Sequence, residues 1–117
     1  MNYLGYAWAE QGIKLTEANE LIVKAVEQRP RDGYIADSLG WVLYQSGDYK
    51  RAVPELERAV QLRPNDATIN DHLGDAYWKV GRKLEARFQW EKAKNMKLDT
   101  NHLESINQKL KQGLKDN

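Results

Sequence analysis

Apolar residues in this 117-residue chain recur at steps of three and four, which is the period of amphipathic α-helices. The stretch from Tyr34 to Ser46 follows this pattern, and Gly47 comes directly after it. Since glycine tolerates the left-handed conformation that ends many helices, we predict that this helix stops there. Its apolar positions are Ile35, Leu39, Val42 and Leu43.

The pattern continues as a series of paired helices. Asp48 is the predicted N-cap of the helix after Gly47, and Pro64 with Asn65 breaks that helix. Its apolar positions are Ala52, Val53, Leu56, Ala59, Val60 and Leu62. The next pair is divided by Gly81, and we expect its first helix to be lined by Ile69, Leu73, Ala76, Tyr77 and Val80. Its second helix is expected to be lined in part by Leu84, Phe88 and Met96. Because the connections are short, the helices of each pair are predicted to pack antiparallel.

A final helix is predicted near the end of the chain. Its apolar residues fall at i, i+3, i+7 and i+11 and therefore form a single stripe, namely Leu103, Ile106, Leu110 and Leu114. Lys109 and Lys111 lie off that stripe, and we expect them to face solvent. Such a helix has the composition of an end cap for a helical array.

Small residues repeat at a fixed step of 34 residues, which is typical of stacked helical repeats. Gly40 and Gly74 keep this step, as do Pro30 and Pro64. The alanines in register are Ala18, Ala52 and Ala86, together with Ala25, Ala59 and Ala93. We predict that the two glycines face the paired helix, where a Cβ atom would hold the backbones apart.

These glycines and alanines, with the residues around them, occur in three copies that resemble the repeats of a known family. The first copy consists of Leu4-Gly5, Trp8, Ala18, Ala25 and Pro30. The second consists of Leu39-Gly40, Ala52, Leu56, Ala59 and Pro64, and the third of Leu73-Gly74, Tyr77, Ala86, Trp90 and Ala93. In these residues the chain resembles the tetratricopeptide repeat family over positions 1–101. The opening aromatic of the family pattern is missing, because Met1, Ala36 and Asn70 stand in its place. The stretch from Asp37 to Tyr44 is similar to bacterial members.

The resemblance implies an all-α fold in one domain, 1–117. We expect a right-handed α-solenoid of three antiparallel helix-pair repeats plus a C-terminal capping helix, seven helices in all. The implied boundaries are 1–32, 33–66 and 67–99 for the repeats and 100–114 for the capping helix.

Composition narrows the function classes. The 18 basic and 17 acidic residues nearly cancel, whereas a dedicated nucleic-acid binder shows a clear basic excess, so we expect no nucleic-acid partner. Membrane insertion is not expected either, because no long apolar run exists. Between Lys79 and Lys97 seven Lys or Arg residues accompany two Glu residues. A solvated outer wall is the favoured interpretation of that stretch, with weak RNA or anionic-surface binding as the alternative.

Catalytic chemistry finds little support in the chain. The two histidines, His72 and His102, are 30 residues apart and do not show the spacing of metal ligands. There is no Gly-rich phosphate loop, and no nucleophile, base and orienting acid can be assembled. With no cysteine in the chain, disulfides and thiolate metal sites are excluded. The sequence therefore predicts no enzyme, no catalytic residue, no metal site and no cofactor.

In the family it resembles, the first helix of each repeat lines a concave groove that holds an extended peptide or a partner helix. Carried over by position, the partner-binding groove contains Tyr6, Glu10, Tyr34, Asp37, Trp41, Tyr44, Gln45, Asp71, Asp75 and Trp78. These residues are aromatic and acidic, so the implied partner is a protein or peptide with basic and apolar side chains. An alternative is that Trp41 and Trp78 pack between adjacent repeats.

Chaperone-binding members of the family grip a terminal carboxylate with Lys, Asn and Arg. The corresponding places here include Ser38, Thr68 and His72, with no Lys or Arg, so an acidic C-terminal tail is not an expected ligand. Two other functions remain open. The chain could assemble with itself as a weak homodimer through Tyr3, Ala7 and Trp8, or it could be an accessory arm of a larger protein.

Overall fold

A computed structural model describes residues 32–96 and 98–114 of the chain. Within these ranges it consists of five α-helices and no strand. The helices are α1 (Gly33–Gln45), α2 (Tyr49–Leu62), α3 (Ala67–Lys79), α4 (Lys83–Lys94) and α5 (Thr100–Gln112). They correspond to five of the seven predicted helices. The other two, in the first repeat, lie outside the described residues, as do Tyr6 and Glu10.

Capping residues set the helix ends. The side chain of Asp48 accepts a hydrogen bond from the backbone N–H of Arg51, which confirms it as the N-cap of α2. Aspartates also cap α1, α3 and α5, at Asp32, Asp66 and Asp99. Gly47 and Gly81 have φ values of 85° and 86°, so the predicted glycine stops after α1 and α3 are confirmed.

Two helix pairs form the body of the described structure, with α1 packed on α2 and α3 packed on α4. The glycines allow the close approach within each pair. A Cβ atom on Gly40 would lie 2.5 Å from Cγ of Leu56, and one on Gly74 would lie 2.5 Å from Cδ1 of Trp90. Both distances are far below van der Waals contact, so the predicted role of these glycines is confirmed.

The core runs continuously through both pairs. Its fully enclosed members include the predicted framework alanines and the two large side chains opposite the glycines, namely Ala52, Leu56, Ala59, Ala86, Trp90 and Ala93. The predicted apolar positions of α1 are all buried, as are Ile69, Leu73, Ala76 and Tyr77 of α3. Because α2 also packs on α3, the larger apolar cluster spans both pairs, and a smaller cluster of Ala36, Ala59 and Ile69 joins them as well.

The prediction that Leu84 and Phe88 line the core was wrong. Their exposed fractions are 85% and 63%. The α4 residues that face the core are Ala86, Trp90 and Ala93. At 100° per residue, Leu84 and Phe88 lie on the opposite side of the helix from these three.

The last helix closes one end of the array with its apolar stripe. Ile106 is completely buried, and Leu110 packs against the core. Leu114 packs there too, but it lies two residues beyond the end of the helix, which stops at Gln112 and not at the predicted 114. The expectation that Lys109 faces solvent was wrong, because its ammonium group reaches two carboxylates of α3. Helix α5 therefore makes polar as well as apolar contacts with the repeat before it.

Candidate functional site

Two predicted groove residues of α1, Trp41 and Tyr44, form a stack of three rings with His72, and we call this stack the aromatic ladder. The rings of Trp41 and Tyr44 are 4.5 Å apart between centroids and inclined by 6°. The imidazole of His72 stacks on Trp41 with centroids 3.8 Å apart and an angle of 14°. Tyr49 meets Tyr44 edge to face at 5.2 Å. Contacts with other rings thus restrain both Trp41 and Tyr44.

Other residues of the predicted groove lie at the surface. Tyr34 is 50% exposed, and the guanidinium carbon of Arg63 lies 4.0 Å from the centre of its ring. Gln45, at the end of α1, is also exposed, whereas Trp41 and Tyr44 are half-buried. Tyr34, Trp41, Tyr44 and Gln45 together make up what we call the inner surface of α1.

Three of the four predicted groove carboxylates, those within the described residues, are not free surface charges. Asp37, Asp71 and Asp75 are all buried, and each carboxylate has polar partners. Nδ1 of His72 lies 2.8 Å from Oδ1 of Asp37. Because an ionised carboxylate can only accept, the ring proton belongs on Nδ1 of the imidazole.

The partners of the other two carboxylates come from α5 and, for Asp75, also from Trp90 of α4. Nζ of Lys109 donates to Oδ1 of Asp71 at 2.8 Å and to Oδ1 of Asp75 at 3.0 Å. Nε2 of His102 lies 3.0 Å from Oδ2 of Asp71. The indole N–H of Trp90 donates to Asp75 at 3.1 Å. We call this set the ionic cluster, and it consists of Asp37, Asp71, Asp75, His72, His102 and Lys109.

Burial and pairing shift the proton affinities of the cluster. Burial opposes protonation of His72, but its hydrogen bond to Asp37 and the charges of Asp37, Asp75 and Asp71 outweigh burial and raise its pKa. Burial raises the pKa of Asp75 to about 6, against the opposing effect of Lys109. For Lys109 itself, the attraction of Asp75 and Asp71 outweighs burial and raises the pKa. The ammonium group of Lys109 therefore stays protonated. Its single positive charge balances only one of the two negative charges of Asp71 and Asp75.

Trp78 packs between helices instead of lying open on the inner surface. Its ring is 5.5 Å from that of Trp90, and a Cβ atom on Gly113 would collide with its six-membered ring. Lys83 and Arg87 of α4 lie over the same indole, at 4.8 Å and 5.5 Å from its centroid. Trp90, Lys83 and Arg87 belong to the same predicted repeat as Trp78, and Gly113 follows the capping helix, so this tryptophan packs within its own repeat and against the cap.

Sequence reasoning did not find the roles of His72, His102 and Lys109. A signal was present for Lys109, because it stands 34 residues after Asp75 and so occupies the same position one repeat period later, on α5. Residues at equivalent positions of neighbouring repeats lie side by side, and opposite charges at such positions favour contact. Within the described ranges, no group of three or more His, Asp and Glu side chains is arranged to hold a metal ion. Nor does any helix there have the length and apolar character needed to cross a membrane.

Comparison with known proteins gives matches that agree with each other. Residues 40–81 match the family model described as TPR repeat. Over 47 residues the chain is 45% identical to the TPR repeat-containing protein PA4667 of Pseudomonas aeruginosa. That match covers 40% of this chain and 8% of the relative, so the shared segment is a small part of a much longer protein.

Several solved structures share the fold. One is the first TPR of Spaghetti (RPAP3) bound to the HSP90 peptide SRMEEVD, with a TM-score of 0.77 and 20% identity, covering 94% of this chain and 90% of that one. The first TPR domain of human RPAP3 has a TM-score of 0.78 and 20% identity, with 96% and 91% covered. A MamA structure from AMB-1 has a TM-score of 0.72 and 25% identity, with 85% and 55% covered.

Proposed function

We propose that this chain, which belongs to the tetratricopeptide repeat family, works as a protein–protein interaction module and not as an enzyme. Interaction through a surface of stacked helices is the common use of this fold, and a structural neighbour holds a peptide. Since one fold serves many unrelated partners, the nature of the ligand has to be argued from the surface itself.

The aromatic ladder is the observation that carries this proposal. Trp41 is stacked between Tyr44 and His72, so its ring is already held in place before any ligand arrives. Large pre-organised aromatic rings give contact area at low ordering cost, which makes them good anchors. The neighbouring Tyr34 and Gln45 are accessible at the same helix. We assign the ligand's apolar side chains to this inner surface of α1.

The charge of the ionic cluster indicates which polar side chains the proposed ligand carries. The ionic cluster holds three carboxylates against one lysine, and its two histidines add positive charge only when protonated. Negative charge therefore stays in excess beneath the inner surface as long as either imidazole is neutral. This excess favours a ligand that carries Lys or Arg beside its apolar residues. The complete groove of the proposal, a right-handed array of three repeats, also includes Tyr6 and Glu10.

The acidic peptide of the structural neighbour is a poor guide to the ligand here. The positions where chaperone-binding members carry a carboxylate clamp include Ser38, Thr68 and His72. The hydroxyl of Ser38 donates to the backbone oxygen of Tyr34, and His72 is engaged by Asp37. None of the three offers a fixed positive charge that could hold a terminal carboxylate.

A displayed random-peptide library tests the proposal. The wild-type chain is expected to enrich peptides with basic and apolar residues, and a Trp41→Ala/Tyr44→Ala variant is expected to lose them. Circular dichroism checks that the variant stays folded, and Phe88→Ser is a matched control that removes an exposed aromatic ring from α4. Equal binding by the Trp41→Ala/Tyr44→Ala variant would overturn the proposal. A molecular mass that rises with concentration, without peptide binding, would favour self-assembly instead.

The module is also compatible with a place inside a larger protein. The matching segment covers 8% of the curated relative, so in that protein repeats of this kind form a small part of a long chain. We therefore propose the role of an interaction arm if this chain is continuous with further domains.

A further inference from the structure

The outer side of α4 carries two exposed apolar residues on one face. Leu84 and Phe88 are 85% and 63% exposed. They stand four residues apart, so their side chains are neighbours on the helix surface. Single exposed apolar residues are ordinary in folded proteins, but an adjacent leucine and phenylalanine form a contiguous ridge.

The fold itself does not require this ridge. One repeat period earlier, the corresponding positions of α2 are Lys50 and Pro54, both exposed. The preceding helix pair therefore packs with no such apolar ridge. In α4 the core contacts come from Ala86, Trp90 and Ala93, on the other side of the helix. Leu84 and Phe88 consequently contribute little to the packing of this repeat.

Helix α4 as a whole carries a net positive charge. Helix α4 contains four basic and two acidic residues, the basic ones being Lys83, Arg87, Lys92 and Lys94. Of the two acidic residues, Glu85 is already paired with Arg82, which lies just before the helix. The other acid, Glu91, stands three residues after Phe88 and borders the ridge, while Lys83 and Arg87 lie over the indole of Trp78. An apolar ridge on a helix of net positive charge is complementary to an apolar stripe edged with carboxylates.

We propose that the outer surface of α4, centred on Leu84 and Phe88, binds an amphipathic helix of a partner protein that carries acidic residues beside its apolar stripe. A ridge of residues at i and i+4 fits the groove on the surface of another helix. This surface is separate from the inner surface of α1. Its proposed ligand is acidic, whereas the ligand proposed for the inner surface is basic. The chain would then act as an adapter that holds two different partners at once.

The test uses a displayed library of helical peptides with apolar residues fixed at i, i+3, i+4 and i+7 and all other positions random. Wild type is expected to enrich Asp and Glu at the random positions. The variant Leu84→Lys/Phe88→Ser, in which position 84 receives the residue type that the preceding repeat has at Lys50, is expected to bind the selected peptides at least tenfold more weakly. Added salt is expected to weaken wild-type binding.

Two controls separate this site from the inner surface and from general stickiness. Tyr34→Ser removes another half-exposed aromatic residue, and Trp41→Ala/Tyr44→Ala disrupts the aromatic ladder. Both are expected to leave acidic-peptide binding unchanged. Selected peptides without acidic enrichment, or equal binding by Leu84→Lys/Phe88→Ser, would overturn the proposal. So would self-association, or binding to phosphatidylserine vesicles in place of peptides, that depends on Leu84 and Phe88.

Discussion

The ammonium group of Lys109 lies 3.0 Å from the carboxylate of Asp75, one repeat period earlier in the chain. The same group also reaches Asp71, so a single side chain joins α5 to two buried acids of α3. The capping helix is therefore held by an ionic contact in addition to its apolar stripe. It both closes the core and neutralises part of the charge beneath the inner surface.

Replacing Lys109 with methionine tests the strength of this connection. The change keeps most of the apolar part of the side chain but leaves two buried carboxylates without their ammonium partner. Removing one partner of a buried ion pair costs several kcal/mol, and the lysine side chain keeps 16% exposure, so we expect a loss of about 2–3 kcal/mol in the free energy of unfolding. Urea unfolding followed by circular dichroism measures it.

The matched control is Lys111→Met, because this lysine is exposed on the same helix. Its effect should stay within about 0.5 kcal/mol. Adding Asp75→Asn to Lys109→Met should recover part of the loss, since it removes one uncompensated charge. Equal effects of the two lysine variants would show that the contact contributes nothing to stability.

The ionic cluster should make stability depend on pH with a definite sign. His72 has a raised pKa, so the folded chain binds this proton more tightly than the unfolded chain. The stabilisation is complete below pH 6.5 and is lost as the pH rises through the folded-state value. The advantage of wild type over His72→Gln in unfolding free energy should therefore shrink as the pH is raised above 6.5.

Asp75 should act in the same direction over a lower range. Its pKa rises from 3.8 to about 6 on folding, so ionising it costs stability between these values. Asparagine resembles the protonated acid, and we expect Asp75→Asn to gain on wild type as the pH increases through this window. Each proton contributes a slope of at most about 1.4 kcal/mol per pH unit. Parallel pH profiles for wild type and both variants would contradict this account.

Close packing at Gly74 gives a third prediction. A Cβ atom there would meet the indole of Trp90, which is fully buried and donates to Asp75. Gly74→Ala should therefore cost roughly 1–3 kcal/mol of unfolding free energy through overpacking. Thermal and urea unfolding of the variant measure this loss.

A double-mutant cycle shows whether the indole is the cause. Trp90→Leu alone is expected to destabilise the chain, but it creates space beside the new methyl group. The combined loss should then be smaller than the sum of the two single losses by more than about 0.5 kcal/mol. Additive losses would place the strain somewhere other than the contact between Gly74 and Trp90.

Much of the fold could be predicted because its signals are local. Gly47 and Gly81 end helices through their own backbone conformation, and Asp48 caps a helix through a residue three positions away. The glycine and alanine framework could be read from its 34-residue period. These signals depend on nearby residues or on regular spacing, so they need no knowledge of the tertiary partners.

The burial of polar residues depends on partners far along the chain. Asp71 and Asp75 meet Lys109 more than 30 residues later, and helical spacing within α5 alone suggested that this lysine faces solvent. Asn70 replaces an expected aromatic residue, and its amide group donates to the backbone oxygens of Pro64 and Asp66. Such pairings follow from how repeats stack and could not be obtained from one helix at a time.

Leu84 and Phe88 on α4 show the converse case, in which apolar residues are exposed. Apolar character was treated as a sign of burial for Leu84 and Phe88, but Trp90 already fills the space opposite Gly74. Once one large indole occupies that contact, only small residues such as Ala86 and Ala93 fit on either side. Helical periodicity identified an amphipathic helix, but it did not identify which apolar residues faced the core.

The most direct test of the central claim is the indole N–H spectrum of the folded chain during titration with a basic, apolar peptide selected from the library. The chain has four tryptophans, each with one indole N–H signal. If the inner surface of α1 binds the peptide, the signal of Trp41 should shift progressively with peptide concentration, while that of the fully buried Trp90 should stay in place. A bound peptide that leaves the Trp41 signal unmoved would contradict the account.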